Sequence, residues 1–149
     1  MRTVRQKTRG KRMSWDVVVA DLPEGVDPLT ITEPITTLGL RPEIIARIRS
    51  IFPEVEMDDS GEGYFQGRDF VLEFNLGEEE VVTDITLSIR GGDEAFGVLK
   101  HLCAQTGWKA VDLSTNRLID FTSPDADASY REWQALRGGL ADSLEDGEE

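Results

Sequence analysis

Phe70-Val71-Leu72-Glu73-Phe74-Asn75-Leu76, then Gly77 to Glu80, then Ile85-Thr86-Leu87-Ser88-Ile89-Arg90 is the stretch that decides the fold. Phe70, Leu72, Phe74 and Leu76 alternate with Val71, Glu73 and Asn75. Ile85, Leu87 and Ile89 alternate with Asp84, Thr86, Ser88 and Arg90. A period of two is the signature of a half-buried strand. Gly77 to Glu80 gives the hairpin loop between them. Each strand has one apolar and one mostly polar face, which predicts an antiparallel sheet covered on one side only.

Downstream, Gly91-Gly92 breaks the strand and Asp93 is suited to cap a helix. Ala95, Val98, Leu99 and Leu102 share one face of that helix, and Gly107 suits its C-terminal turn. Trp108 to Leu113 and Arg117 to Phe121 read as strands turning at Ser114-Thr115-Asn116. Upstream, Pro42 fits the first turn of a helix, with Glu43 at its positive end. Ile44, Ile45, Ile48, Ile51 and Phe52 form its apolar stripe, Arg47 and Arg49 face away, and Pro53 stops it. Trp15 to Leu22 is a strand, with Trp15, Val17 and Val19 on one side. Glu24 to Leu40 is a long proline-containing connection, and connections of this length are usually functional or disordered. Glu56 to Gly63 is acidic and glycine-containing and reads as a turn.

The order is β-α-β-β-α-β plus a short extra strand. This is the ferredoxin-like order, an α+β fold with both helices on one face of an antiparallel sheet. Residues 13–121 form the expected single domain. Residues 122–149 follow as a linker over Thr122 to Ala128, an amphipathic helix and an acidic end. Tyr130, Trp133, Leu136, Leu140 and Leu144 recur at helical spacing, interrupted by Gly138-Gly139. Such a stripe usually serves the protein's own core. The competing expectation is a partner surface at Tyr130, Trp133 and Leu136.

The chain has 149 residues, with 16 Lys plus Arg against 29 Asp plus Glu, a net charge of −13. The charge is uneven. Residues 1–12 hold Arg2, Arg5, Lys7, Arg9, Lys11 and Arg12 without an acid, so they carry +6. Residues 13–149 hold ten bases and all 29 acids, and carry −19. The first twelve residues read as a basic disordered arm, and Met13 opens the first element as an alternative start. An arm of this kind can neutralise phosphate, but the acidic body behind it makes nucleic acid an unfavoured partner. The arm is too polar for a secretory signal. The longest purely apolar run, Val17 to Ala20, falls far short of the roughly 20 residues that span a bilayer. The expectation is a cytoplasmic protein with no membrane partner.

Most site chemistries fail on residue supply. One Cys forms no internal disulfide, and one His with one Cys cannot complete a tetrahedral Cys/His zinc site. His101 and Cys103, two apart on a helix, project about 200° apart and do not form a nucleophile–base pair. Glu56 to Gly61 has the oxygen spacing of a calcium loop, yet its twelfth position is Gly67, where a bidentate carboxylate is required. Glu78-Glu79-Glu80 reads as a solvated loop tip. Arg90-Gly91-Gly92, at a strand-to-helix turn, is the candidate anion site, since amides at a helix start attract anions. Asp93 would compete for the same amides. No cofactor is expected.

Trp15-Asp16-Val17 through Asp21-Leu22-Pro23, Glu43-Ile44-Ile45, Glu73-Phe74-Asn75-Leu76-Gly77 and Arg90-Gly91-Gly92-Asp93 together resemble a family of small acidic bacterial proteins of unknown function. The resemblance spans about residues 13–121. It implies one α+β domain, carries no activity, and transfers no catalytic or binding residue. The leading expectation is a non-enzymatic acidic module that binds a basic protein partner, of inhibitor, immunity or regulatory type. The rivals are a ferredoxin-like small-ligand sensor that forms a homodimer, and an enzyme using carboxylates alone.

Overall fold

The computed structural model describes residues 14–23 and 36–136. The basic arm, most of the first long connection, Gly138-Gly139, Leu140, Leu144 and the acidic end lie outside the described residues. In chain order the elements are β1 (Trp15–Ala20), β2 (Gly39–Leu40), α1 (Arg41–Ile51), β3 (Glu56–Met57), β4 (Glu62–Gln66), β5 (Phe70–Asn75), β6 (Val81–Val82), β7 (Asp84–Gly91), α2 (Glu94–Thr106), β8 (Lys109–Asp112) and β9 (Arg117–Leu118). A further helix, α3, covers 128–136.

Alternation sets the register. Val17 lies opposite Leu87, and Leu87 opposite Phe74. The three side chains form one buried row across β1, β7 and β5. Trp15, Ile89 and Leu72 form the next. Helix α1 adds Ile44, Ile45 and Ile48 to this core, and α2 adds Ala95, Leu99 and Leu102. All belong to one apolar cluster, so both helices cover the same face of the sheet.

Among the described residues the sheet has seven strands in the order β3-β4-β5-β7-β1-β8-β9, each pair antiparallel. The class is therefore α+β, with a large antiparallel sheet and three helices among the described residues. Glu56 to Gly63, expected as a turn, instead supplies β3 and the start of β4, with the reversal confined to Asp58 to Gly61. These outer strands are mostly exposed, so they lack the apolar alternation that marks a half-buried strand. Val81-Val82 leaves the main hairpin and pairs with Gly39-Leu40 in a second, two-stranded sheet. Arg41 ties that corner by donating to the Glu78 carbonyl at 2.8 Å.

Helix boundaries follow local chemistry. Pro42 stands in the first turn of α1, and Phe52 caps its end by donating its amide to Ile48. Asp93 occupies the position before α2 but forms no side-chain cap bond. Gly107 ends α2 in the left-handed conformation, φ 82°. Within α2, Gly97 is exposed and a methyl group there would meet nothing within 4 Å. Gly97→Ala is expected to raise stability by about 0.5–1 kcal/mol, measured by urea unfolding, because Ala loses less backbone freedom in a helix.

Helix α3 returns to the core. Tyr130 is 1% exposed and lies 5.0 Å, ring to ring, from Trp15. It also stacks on Trp133 at 5.4 Å. The Trp15 indole N–H donates to Ser129 Oγ at 3.2 Å. Tyr130 is thus corrected from a partner surface to a core residue. Residues 122–136 complete the domain instead of trailing from it. The physical reason is area: a buried aromatic removes roughly 150–250 Å² from water, which stabilises a helix too short to persist alone. Trp133 is half-buried and Leu136 is 61% exposed. Among the described residues, no helix is long and apolar enough to cross a membrane.

Candidate functional site

The second face of the sheet carries the side chains that the core rejects. Register places Asp16, Ser88, Glu73, Tyr64 and Glu56 in one row across five strands. Val18, Thr86, Asn75 and Glu62 form the row beside it. Helix α3 docks against Trp15 and Phe96 on the opposite face, so it does not lie across these rows. What remains is an open depression of about 1320 Å³. Among the described residues, five carboxylates line it, from Asp16, Glu56, Asp58, Glu62 and Glu73, against one guanidinium, Arg49.

Several of these groups are positioned by their neighbours. Ser14 donates to Asp16 at 2.8 Å. Asp58 accepts from the Ser60 hydroxyl, the Ser60 amide and the Glu62 amide. These bonds, the Ser60 hydroxyl foremost, hold the Asp58 carboxyl below its usual range. Arg49 donates to the Met57 carbonyl. Arg90 pairs with Glu73 at 3.0 Å where both are substantially exposed, so the pair contributes about 0–1 kcal/mol.

The sequence candidates fall elsewhere. Arg90 faces Glu73, and the Gly92 amide donates to the Asp69 carbonyl at 2.9 Å. The Gly91 carbonyl accepts from Tyr130 Oη at 2.7 Å and from Gln134 Nε2 at 2.9 Å. A methyl group on Gly92 would overlap the Asp69 carboxylate. Arg90, Gly91 and Gly92 therefore do not form the expected amide cradle for an anion: Asp69 puts a carboxylate where the anion would approach. The calcium-like loop uses Asp58 to close its own turn, and no group of three His, Cys, Asp or Glu is placed for a metal among the described residues. Glu78, Glu79 and Glu80 are exposed.

Cys103 is 7% exposed, and burial pushes its thiol up to about 12, against a weaker opposing pull from Lys109. His101 is exposed, with its ring edge toward Phe52 at 5.8 Å. The thiolate is the reactive form, so Cys103 is expected to resist a disulfide reagent at pH 8 until denaturant is added. Rapid labelling of the folded protein would contradict its burial.

A second concavity, of about 430 Å³, lies where α3 meets the turn between β4 and β5. Arg68, Asp69, Arg90, Trp133 and Gln134 are among its walls. Sequence reading missed Arg68 and Asp69, because nothing local distinguishes them from an ordinary turn. Their setting depends on Trp133 returning from a distant helix. No family model, curated protein or solved structure matches the chain.

Proposed function

We propose that this protein is a non-enzymatic module that binds a basic protein partner on the open face of its sheet, in an inhibitory, immunity-type or regulatory role. The observation that carries this reading is the five-to-one excess of carboxylates over guanidinium among the described residues that line the depression, set in a body of −19. Such a surface steers a cationic partner and rejects an anionic one. It also disfavours self-pairing through this face, since two copies would bring like charges together. The order β5-β7-β1-β8, with α1 and α2 on one side, supports a ferredoxin-like core to which β3, β4, β9 and α3 are additions.

The test is an NMR titration with an oligolysine peptide. Amide shifts are expected at Asn75, Thr86 and Ser88, and should fade as salt rises toward 1 M. Asp16→Lys combined with Glu62→Lys should weaken binding about tenfold or more, as charge reversal at a steering surface does. Shifts elsewhere, or binding indifferent to both substitutions, would overturn the proposal.

A further inference from the structure

We propose that the pocket between α3 and the β4–β5 turn binds a small aromatic zwitterion, a free aromatic amino acid. This goes beyond the partner-binding reading and uses a different part of the molecule. Three features of the walls carry it. The first is an aromatic wall. Trp133 stacks on Tyr130 with ring planes 13° apart and also lines the pocket. Tyr130 is buried and held by the Gly91 carbonyl, so the indole stands on a fixed base.

The second is a pair of opposite charges. Arg68 and Asp69 both line the pocket and are exposed. Neither has a hydrogen-bond or ion-pair partner for its side chain among the described residues, whereas Arg90 beside them is paired with Glu73. A guanidinium suits a carboxylate ligand, and a carboxylate suits an ammonium. A ligand with only one charge would engage one of the two groups and leave the other to water, forgoing one charge-assisted hydrogen bond. The third feature is size. The volume of about 430 Å³ falls near the small end of the roughly 300–1000 Å³ range of small-molecule sites.

These features together select a flat apolar ring bearing one acid and one amine. Gln134 spends its Nε2 on the Gly91 carbonyl, which leaves its oxygen to accept from the ligand ammonium alongside Asp69. The arrangement requires no covalent step.

The experiment is an NMR titration of the full chain with three probes: L-phenylalanine, phenylacetate and phenethylamine. L-phenylalanine should shift the Trp133 indole N–H and the amides of Gly67, Asp69 and Gly91. Phenylacetate and phenethylamine should each bind roughly tenfold more weakly, the loss of one charge-assisted hydrogen bond. Arg68→Gln should reduce L-phenylalanine to the level of phenethylamine, and Asp69→Asn should reduce it to that of phenylacetate. Both positions are exposed, and each variant's spectrum reports that the fold is intact. No shift with any probe, equal binding of all three, or binding unchanged in both variants would overturn the proposal. None of these outcomes would bear on oligolysine binding, whose signals lie on the Asn75, Thr86 and Ser88 rows.

Discussion

Tyr130→Ala is expected to lower the unfolding free energy by about 3–5 kcal/mol, the range for deleting a buried aromatic. This is a large share of the roughly 5–15 kcal/mol that holds an ordinary domain together. Tyr130 is 1% exposed and its ring meets Trp15, Phe96 and Trp133. Its hydroxyl donates to the Gly91 carbonyl, so one side chain joins α3, β1, α2 and the end of β7. Urea unfolding followed by tryptophan fluorescence would measure the loss. Tyr130→Phe should cost only about 1 kcal/mol, because the Gly91 carbonyl keeps Gln134 as a donor. If the alanine variant unfolds at the native midpoint, α3 is not part of the domain.

The same residue predicts the alkaline limit of the fold. Burial, followed by the charges of Asp93 and Asp69, raises the Tyr130 phenol above its ordinary value near 10. The unfolded chain releases that proton first, so the native state binds more protons above about pH 10. Stability from this group is complete below that pH and declines as pH rises toward the folded value. Tyr130→Phe should remove this part of the decline.

Gly91→Ala is the second large effect, expected to cost about 3 kcal/mol or more, as steric overlap added to backbone strain does. Gly91 has φ 111°, a conformation side chains rarely adopt. A methyl group there would also overlap the Asp69 carbonyl oxygen and approach the Phe70 Cα. Both obstacles are backbone, at the end of the β4–β5 turn and the start of β5, and cannot rotate aside as a side chain can. Gly77→Ala is the control. Its φ is 84°, yet nothing lies within 4 Å of the added carbon, so only strain of about 1–2 kcal/mol remains. Denaturation midpoints of the two variants should separate clearly. Equal losses would mean that the β5–β7 approach at Gly91 is looser than described.

Legibility in the sequence tracked burial. Phe70 to Leu76 and Asp84 to Arg90 were readable as strands because the core takes every second side chain. Both helices were readable from Ile44, Ile45 and Ile48 and from Ala95, Leu99 and Leu102. The pairs β3–β4 and β2–β6 were not, since two-residue or mostly exposed strands impose no alternation. The tail stripe announced an apolar face but not its destination. Tyr130 meets Trp15 through tertiary packing, which no local pattern records. The candidate sites divide similarly. The polar side of each strand was visible one strand at a time, while the depression exists only once five strands are aligned. Arg90, Gly91 and Gly92 looked like an anion turn because their sequence neighbours could be weighed, but Asp69 reaches them from the β4–β5 turn.

The placement of β1 has a consequence for the order in which the chain assembles. This first described strand lies between β7 and β8, with Val17 facing Leu87 on one side and Asp112 on the other. A ribosome must therefore synthesise most of the protein before β1 can close either seam, and Trp15 waits longer still for Tyr130. The β4, β5 and β7 strands pair across short loops and can form earlier. Contacts between distant parts of a chain slow folding, and until they form, the apolar face of β1 stays open to other nascent chains.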